Sequence, residues 1–491
     1  MTPILLATIN AKWIHPSLGL RLLKANLGEY EAQAELLEFA LRQPLAEKTS
    51  PILATAPRIL GLSVSIWNHK ATVELLDTLH KAWDVGISPR PSIILGGPEA
   101  SYLQADAPLI RYADWVVQGE GERIFREMCG LILGTGATST GIEALPSVKR
   151  LSGKFIEPQP VDISSLASAY RLYTEADLLR KLTYVESSRG CPLACAFCLS
   201  SLSKGVRVFP LDRVLDDLQT LLDRGARSFK FLDRSFNLDI PRAKGIMALF
   251  LKYLEGSTQG TRPMQPLWVH FEMLPSRFPQ ELREMVTRFP PGTLRLEIGI
   301  QTFNPKTAAL MGRPSDPEQE LELLSFLRHK TTAIVHADLI AGLPGEDMRS
   351  FAEGFDRLWQ VRPTEIQLGI LKCLPGTPLT RYNETYKMRY APEPPYEVLE
   401  TAALSPEDLG QLQNFARFWE LIVNRGAFTA LLPDIVPEGE AVFRSFMALS
   451  DWLLKRFQRN WGIDRKALGT ALEEWVRIRH RITAKSVQLP E

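Results

Sequence analysis

Three of the chain's five cysteines stand in one short loop, Ser187-Ser188-Arg189-Gly190-Cys191-Pro192-Leu193-Ala194-Cys195-Ala196-Phe197-Cys198. The C-x3-C-x2-C spacing follows the strand-forming run Leu182-Thr183-Tyr184-Val185-Glu186. It can turn three thiolates onto one inorganic centre, and soft thiolates favour iron-sulfur clusters or zinc. The number of ligands is informative. A four-iron cubane held by three cysteines leaves one iron open to a substrate or cofactor, whereas electron-transfer clusters usually have every iron ligated by protein. Two other readings stay open on residue types alone: a zinc knuckle completed by a distant His270 or His336, and three buried cysteines without metal.

Further polar candidates recur where strands are expected to end. Asp233 lies in Phe-Leu-Asp-Arg-Ser-Phe-Asn, Glu272 in His-Phe-Glu-Met, and Glu297 and Gln301 in Leu-Glu-Ile-Gly-Ile-Gln-Thr-Phe-Asn. Arg313 follows in Ala-Leu-Met-Gly-Arg, and a guanidinium fork suits a carboxylate partner. For each acid the alternative is a solvated or salt-bridged loop carboxylate. In the first third, four loops combine small hydroxyls with glycines that let a ligand approach the backbone. They are Asn10-Ala11-Lys12-Trp13-Ile14-His15, Ser63-Val64-Ser65-Ile66-Trp67-Asn68, Gly96-Gly97-Pro98-Glu99-Ala100 and Gly119-Glu120-Gly121-Glu122. Glu120 and Glu122 read equally as first-turn carboxylates favoured by a helix dipole, and His15 as a polar loop residue near Pro16. Cys129 and Cys373 read as small buried hydrophobes, with a second catalytic thiol the alternative for Cys373.

The elements that must position these residues follow from periodicity. Strands are expected at Pro3 to Ile9, Glu35 to Phe39, Arg58 to Ile66, Ser92 to Gly96 and Asp114 to Gln118, alternating with helical patterns. This predicts a parallel α/β sheet with its ligand loops at the carboxyl ends of the strands. No G-x-G-x-x-G follows the first strand, which weakens a dinucleotide reading. Residues 146–181 read as a hairpin with Ser152-Gly153 at its turn, then an extended linker. Helix-strand units follow, with strands at Ser228 to Leu232, Leu267 to Phe271, Leu294 to Ile300, Ile334 to Ile340 and Glu365 to Leu371, a barrel pattern with function at its carboxyl ends. After Ala391-Pro392-Glu393-Pro394-Pro395, helical faces carry Phe415, Phe418, Trp419 and Ile422, and then Val442, Phe446, Leu449 and Leu453.

A length of 491 residues suggests about three domains. With 57 basic against 56 acidic residues, no strongly basic nucleic-acid footprint exists, so nucleic acid is not an expected partner. Five cysteines with three in one loop point to a reducing cytoplasm rather than a disulfide framework. No apolar run reaches membrane-spanning length.

The cysteine spacing, with an aromatic just before the last cysteine, resembles the cluster loop of radical S-adenosylmethionine (SAM) enzymes. Leu-Gly-Gly-Pro-Glu-Ala and Val-Val-Gln-Gly-Glu-Gly-Glu resemble loops of the cobalamin-binding domain attached to one large class of them. The whole chain is similar to cobalamin-dependent radical SAM proteins with a helical tail of unknown function (DUF4080-like). The resemblance implies a Rossmann-like cobalamin-binding domain (1–145), a linker with hairpin (146–181), a partial (β/α)6 TIM-like radical SAM barrel (182–390) and a small C-terminal helical domain (391–491). It implies a [4Fe-4S] cluster on Cys191, Cys195 and Cys198, with Phe197 beside it. SAM would meet Asp233, near its amine, with Glu272, Glu297, Gln301 and Arg313. Gly342-Leu343-Pro344-Gly345-Glu346 resembles the turn beside the adenine. Cobalamin would lie on Asn10, Lys12, Ser63, Ser65, Gly96, Gly97, Pro98, Glu99, Gly119, Glu120 and Gly121. Asp-x-His-x-x-Gly is absent, so no protein histidine is expected on cobalt. The implied activity is reductive SAM cleavage to a 5'-deoxyadenosyl radical and methyl transfer to an unactivated carbon of a small-molecule or peptide substrate. Electrons would come from a donor such as flavodoxin or ferredoxin. Radical rearrangement, cyclisation or oxidation without methyl transfer, and a non-enzymatic iron-sulfur or zinc sensor or scaffold, are the alternatives.

Overall fold

The computed structural model describes residues 2–134, 138–203, 205–258, 266–313, 315–437 and 441–486. β1 (Ile4–Asn10), β2 (Ala34–Ala40), β3 (Ile59–Ser63), β4 (Ser92–Gly96), β5 (Trp115–Val117), β6 (Val148–Ser152) and β7 (Phe155–Pro158) form one sheet in the order β2-β1-β3-β4-β5-β7-β6. Every pairing is parallel except β6 with β7. Four helices cover both faces: α1 (Leu18–Ala25), α2 (Leu45–Thr55), α3 (His69–Asp84) and α4 (Glu122–Gly134). Leu5, Ala7 and Ile9 of β1 pack with Ile52, Leu75, Leu76, Leu79 and Trp83. Ile4 and Leu6 point the other way, to Leu20, Ile124, Phe125 and Met128. This two-sided burial is why β1 is apolar on both faces rather than alternating.

The hairpin at residues 148–158 belongs to this sheet. β7 pairs in parallel with β5, so the first sheet reaches Pro158 rather than ending near residue 145; without it β5 would present an open edge. Two short helices follow, α5 (Ser139–Glu143) before the hairpin and α6 (Glu175–Arg180) after it. At the joint, buried Arg21 of α1 reaches Glu38 of β2 at 2.9 Å and Asp177 of α6 at 3.0 Å. Lys181 meets the same Asp177 at 2.9 Å. Burial alone would raise the Asp177 carboxyl, but Lys181, the Thr174 amide and Arg21 hold it down to about 2.

The middle of the chain holds β8 (Thr183–Val185), β9 (Ser188–Gly190), β10 (Val206–Val208), β11 (Ser228–Phe231), β12 (Trp268–Met273), β13 (Leu294–Gln301), β14 (Ile334–Ala341) and β15 (Glu365–Ile370). Six of them pair in parallel in the order β15-β14-β13-β12-β11-β8. They are separated by α7 (Leu211–Asp223), α8 (Ile240–Thr258), α9 (Gln280–Thr287), α10 (Pro305–Leu310), α11 (Pro317–Lys330) and α12 (Met348–Gln360). The arc is open between β8 and β15. In β13, Leu294, Leu296, Ile298 and Ile300 are buried while Arg295, Glu297, Gly299 and Gln301 are only partly covered, the alternation that aims one side chain in two into the lumen.

The last part comprises the hairpin β16 (Arg389–Tyr390) and β17 (Val398–Glu400), then α13 (Pro406–Trp419), α14 (Leu432–Ile435), α15 (Val442–Phe457) and α16 (Arg465–Ser486). Among the described residues these helices share one core with the barrel. Phe415, Phe418, Trp419 and Phe446 join the barrel's core, and Phe355 and Trp359 of α12 meet the Trp419 ring edge-on at 4.8 and 5.1 Å. No helix among the described residues is long and apolar enough to cross a membrane.

Candidate cofactor site between the two sheets

The cluster loop is pinned before it is functional. β9 pairs antiparallel with β10, closing the loop at its base. Asp233, just past β11, accepts hydrogen bonds from the Ser187 amide (2.9 Å), Ser187 Oγ (2.7 Å) and Ser188 Oγ (2.6 Å). Arg242 of α8 donates to Ser187 Oγ at 3.2 Å and to its carbonyl at 2.8 Å. Asp233 is therefore not open to a SAM amine as expected; its carboxylate holds the strand that leads into the cysteines.

Cys191 Sγ lies 3.4 Å from Ser235 Oγ. Buried Cys195 has Arg313 Nη1 at 3.9 Å from its sulfur; burial pushes this thiol up and Arg313 opposes the shift. Cys198 and partly buried Phe197 complete the loop, Phe197 packing on the barrel core. Among the described residues no three Cys, His, Asp or Glu side chains converge on a point suited to one metal ion. A cubane binds each thiolate to a different iron, and three thiols on one loop with a guanidinium beside the buried one are a donor set that fits a cluster. His270 Nε2 shares a 2.9 Å hydrogen bond with Glu297, and His336 Nδ1 lies 3.2 Å from Glu365 with its Nε2 buried and unpartnered; neither joins the cysteines in a group that could hold one metal ion.

Along the lumen the predicted acids differ in availability. Glu297 is taken up by His270 and by Lys230 at 3.7 Å, which hold it low against the desolvation that would raise it; it is not free for a ribose. Glu272 pairs with Arg234 at 3.1 Å, and the Arg234 side chain is half exposed. Gln301 ends β13 at φ 71°, a left-handed conformation that costs a non-glycine residue and persists where the surroundings enforce it. Arg313 reaches the Gly299 carbonyl as well as Cys195. One residue was missed: Asp338 of β14 has an unpartnered oxygen, and burial with Glu297 and Glu272 nearby pushes its carboxyl up. Its signal was the acid in the apolar run Val335–Ala341, at the lumen-facing parity of His336.

At the carboxyl edge of the first sheet lies a cavity of about 290 Å³. It is lined from the first domain by Leu20, Ser63, Gly96, Gly97, Gly119 and Gly121 among others, and from the barrel by Glu186, Arg189 and Leu232. A Cβ on Gly97 (φ 99°) would come within 2.7 Å of the Val64 carbonyl, so only glycine keeps that wall in place. Trp13 and Trp67, in the loops after β1 and β3, leave 53% and 51% of their surfaces exposed.

Several predicted contacts are directed elsewhere. Asn10 donates to Glu38 at 3.2 Å. Glu99 is buried against His69 Nδ1 (2.9 Å) and the Tyr396 hydroxyl (2.5 Å). Glu120 is bound by Arg189 at 3.0 Å and Arg207 at 2.5 Å. Lys12 and Pro98 are exposed, whereas Ser65 is buried and donates its amide to Asn68. His15 Nδ1 shares a 2.8 Å bond with the Tyr184 hydroxyl, consistent with a polar loop residue. Cys129 is fully buried and its thiol is pushed up to about 12 by desolvation.

The family profile described as B12 binding domain matches residues 4–128, Radical SAM superfamily matches 185–358, and Protein of unknown function (DUF4080) matches 384–488. The chain is 29% identical over 173 residues to the ribosomal protein uS12 methylthiotransferase RimO of Symbiobacterium thermophilum, covering 34% of each protein. It is 24% identical over 424 residues to the 2-(S-pantetheinyl)-carbapenam-3-carboxylate methyltransferase of Streptantibioticus cattleyicolor, covering 77% of this chain and 58% of that protein. The chain thus spans about a third of the first relative's length and just over half of the second's. Among solved structures, the radical SAM methyltransferase TsrM of Kitasatospora setae, with cobalamin and a [4Fe-4S] cluster bound, superposes with a TM-score of 0.58 at 16% identity, over 83% of this chain and 79% of that one. The cobalamin-dependent SAM radical enzyme OxsB, with aqua-cobalamin and SAM bound, gives 0.59 at 15% identity, over 99% and 80%. At such identities the likeness is one of fold. In chain order, the protein consists of a B12-binding domain, a radical SAM domain and a DUF4080 region.

Proposed function

We propose that this protein is a cobalamin-dependent radical SAM methyltransferase acting on an unactivated carbon. The observation that carries the reading is the shared cavity: glycines at the edge of the B12-binding sheet and Arg189, two residues before Cys191, line the same space. At about 290 Å³ the cavity takes part of a cobalamin, its apolar leucine walls suiting a flat base rather than the corrin. Trp13 and Trp67 offer exposed apolar surface outside it for the macrocycle. Cys191, Cys195 and Cys198 hold the cluster, and Arg313 neutralises charge beside it and orients a carboxylate. Glu272, Gln301 and Asp338 remain to meet the polar parts of SAM, while Glu297 fixes the lumen beneath. When bound, the cluster and SAM supply a 5'-deoxyadenosyl radical and cobalamin supplies a methyl group; the protein positions them and excludes water.

Anaerobic reconstitution followed by absorption spectroscopy resolves corrin bands from iron-sulfur bands. Turnover with methyl-labelled SAM then tests the outcome: label in a product other than methionine or methylcobalamin is expected. Deoxyadenosine formed without any such product would move the assignment to a radical reaction without methyl transfer, and an intact cluster that never cleaves SAM would move it to a sensor.

A further inference from the structure

The DUF4080 match begins at residue 384, and its first stretch reaches back across the molecule. Tyr396, held at φ 59°, donates its hydroxyl to Glu99 Oε1 at 2.5 Å. Glu99 is 4% exposed and its other partner is His69 Nδ1, at the first position of α3. The Glu99 amide donates to the Val64 carbonyl at 3.1 Å, and the Val64 amide to the Gly96 carbonyl at 2.8 Å. Beside it, Asn68 accepts from the Ser65 amide at 2.8 Å and donates to the Ile9 carbonyl at 2.9 Å. The loops after β3 and β4, two of the four that face the proposed cobalamin site, are thus tied together through Glu99, and Asn68 anchors the β3 loop to the carboxyl end of β1.

A second contact lies alongside. Tyr102, just beyond the β4 loop, lies flat against Gly376 (φ 87°) past the end of β15, leaving no room for a Cβ there. A third, Lys70 with Glu393 at 2.5 Å, is exposed at both ends and contributes little.

We propose that Tyr396 is a positioning residue by which the DUF4080 region fixes the cobalamin-facing loops over the barrel mouth. Its phenol adds a hydrogen bond to the buried Glu99 carboxylate, from a segment 297 residues away in sequence. A hydrogen bond to a charged group is among the stronger kind. The inference uses the cofactor reading only for what the loops hold; the docking itself stands on the contacts.

The test uses the full chain with Tyr396→Phe, which keeps the ring and removes the donor, and Glu393→Gln as a surface control. Amide hydrogen exchange of residues 63–70 and 96–102, measured without cofactors, is expected to quicken roughly tenfold in Tyr396→Phe and to stay unchanged in Glu393→Gln. Hydroxocobalamin titration is expected to weaken by a similar factor, with cluster content and SAM cleavage as in the parent chain. Unchanged exchange in both segments would overturn the proposal, as would quickening confined to residues 384–400. If the parent chain binds no cobalamin, the cofactor reading fails while the exchange measurement still decides the docking.

Discussion

Side chains with one plausible partner in sequence often have another in space, and this determines what their substitution does. Cys195 is buried with Arg313 beside its sulfur, and Cys195→Ala is expected to abolish SAM cleavage while the first domain keeps its fold. Deoxyadenosine assay with far-ultraviolet circular dichroism checks this, and retained cleavage would remove Cys195 from the ligand set. Glu346, in the glycine-rich turn after β14, is buried with one unpartnered oxygen. Desolvation pushes its carboxyl up to about 7, opposed by bonds from Thr302 and Ser350. A folded pKa above the unfolded one means the native state holds more protons, so this group's contribution is lost as pH rises from about 4.5 to about 7. Glu346→Gln should therefore raise the melting temperature near pH 8, by on the order of 3 kcal/mol in stability, with little gain near pH 5. A gain equal at both pH values would contradict the sign. The residue types of the cluster loop were legible because three cysteines can meet only a few kinds of partner. The fates of Asp233, Glu99 and Glu297 were not, since their partners Ser187, Tyr396 and His270 are set by tertiary packing.

At the scale of elements, strands buried on both faces or alternating toward a lumen could be read within a residue or two, as β4 and β13 show. Short strands were less visible. β9 and β10 are three residues each, Ser-Arg-Gly and Val-Arg-Val, too brief for a period. Ser152-Gly153 marks the hairpin in the sequence, but local pattern does not reveal that β7 extends the first sheet. Amphipathic α13 and α15 likewise show an apolar face without naming what covers it, and a separate helical core was the natural expectation. The structure instead packs Trp419 on α12 of the barrel, which carries a consequence. Trp419→Ala should cost about 3–5 kcal/mol and destabilise the barrel itself. Urea unfolding followed by hydrogen exchange within β13 and β14 would show the loss there; exchange rising only in α13 to α16 would mean an independently melting domain.

At the scale of the whole molecule, the two domains are bridged at the cavity chiefly by the Arg189 guanidinium. Arg189 donates to Glu120 at 3.0 Å, Glu122 at 2.8 Å and Glu186 at 2.8 Å, two of these carboxylates coming from the B12-binding domain. Arg207 adds a second cation on Glu120 only, so Arg189→Ala leaves Glu122 and Glu186 buried without a counter-charge. Breaking a buried ion pair on one side costs about 3–5 kcal/mol. The Glu186 carboxyl is already raised by burial, with Arg189 the main opposing influence, so removing the arginine raises it further. A more strongly raised acid loses stability across a wider span of rising pH. The deficit of Arg189→Ala against the parent chain should therefore be largest near about pH 8 and shrink toward about pH 5, where Glu186 is protonated at smaller cost. Thermal unfolding across that range checks it. Because the lost contacts bridge the two domains, the variant is also expected to melt in two steps, the B12-binding domain separating first; a single step with a pH-independent deficit would show that Arg189 acts only within the cluster loop.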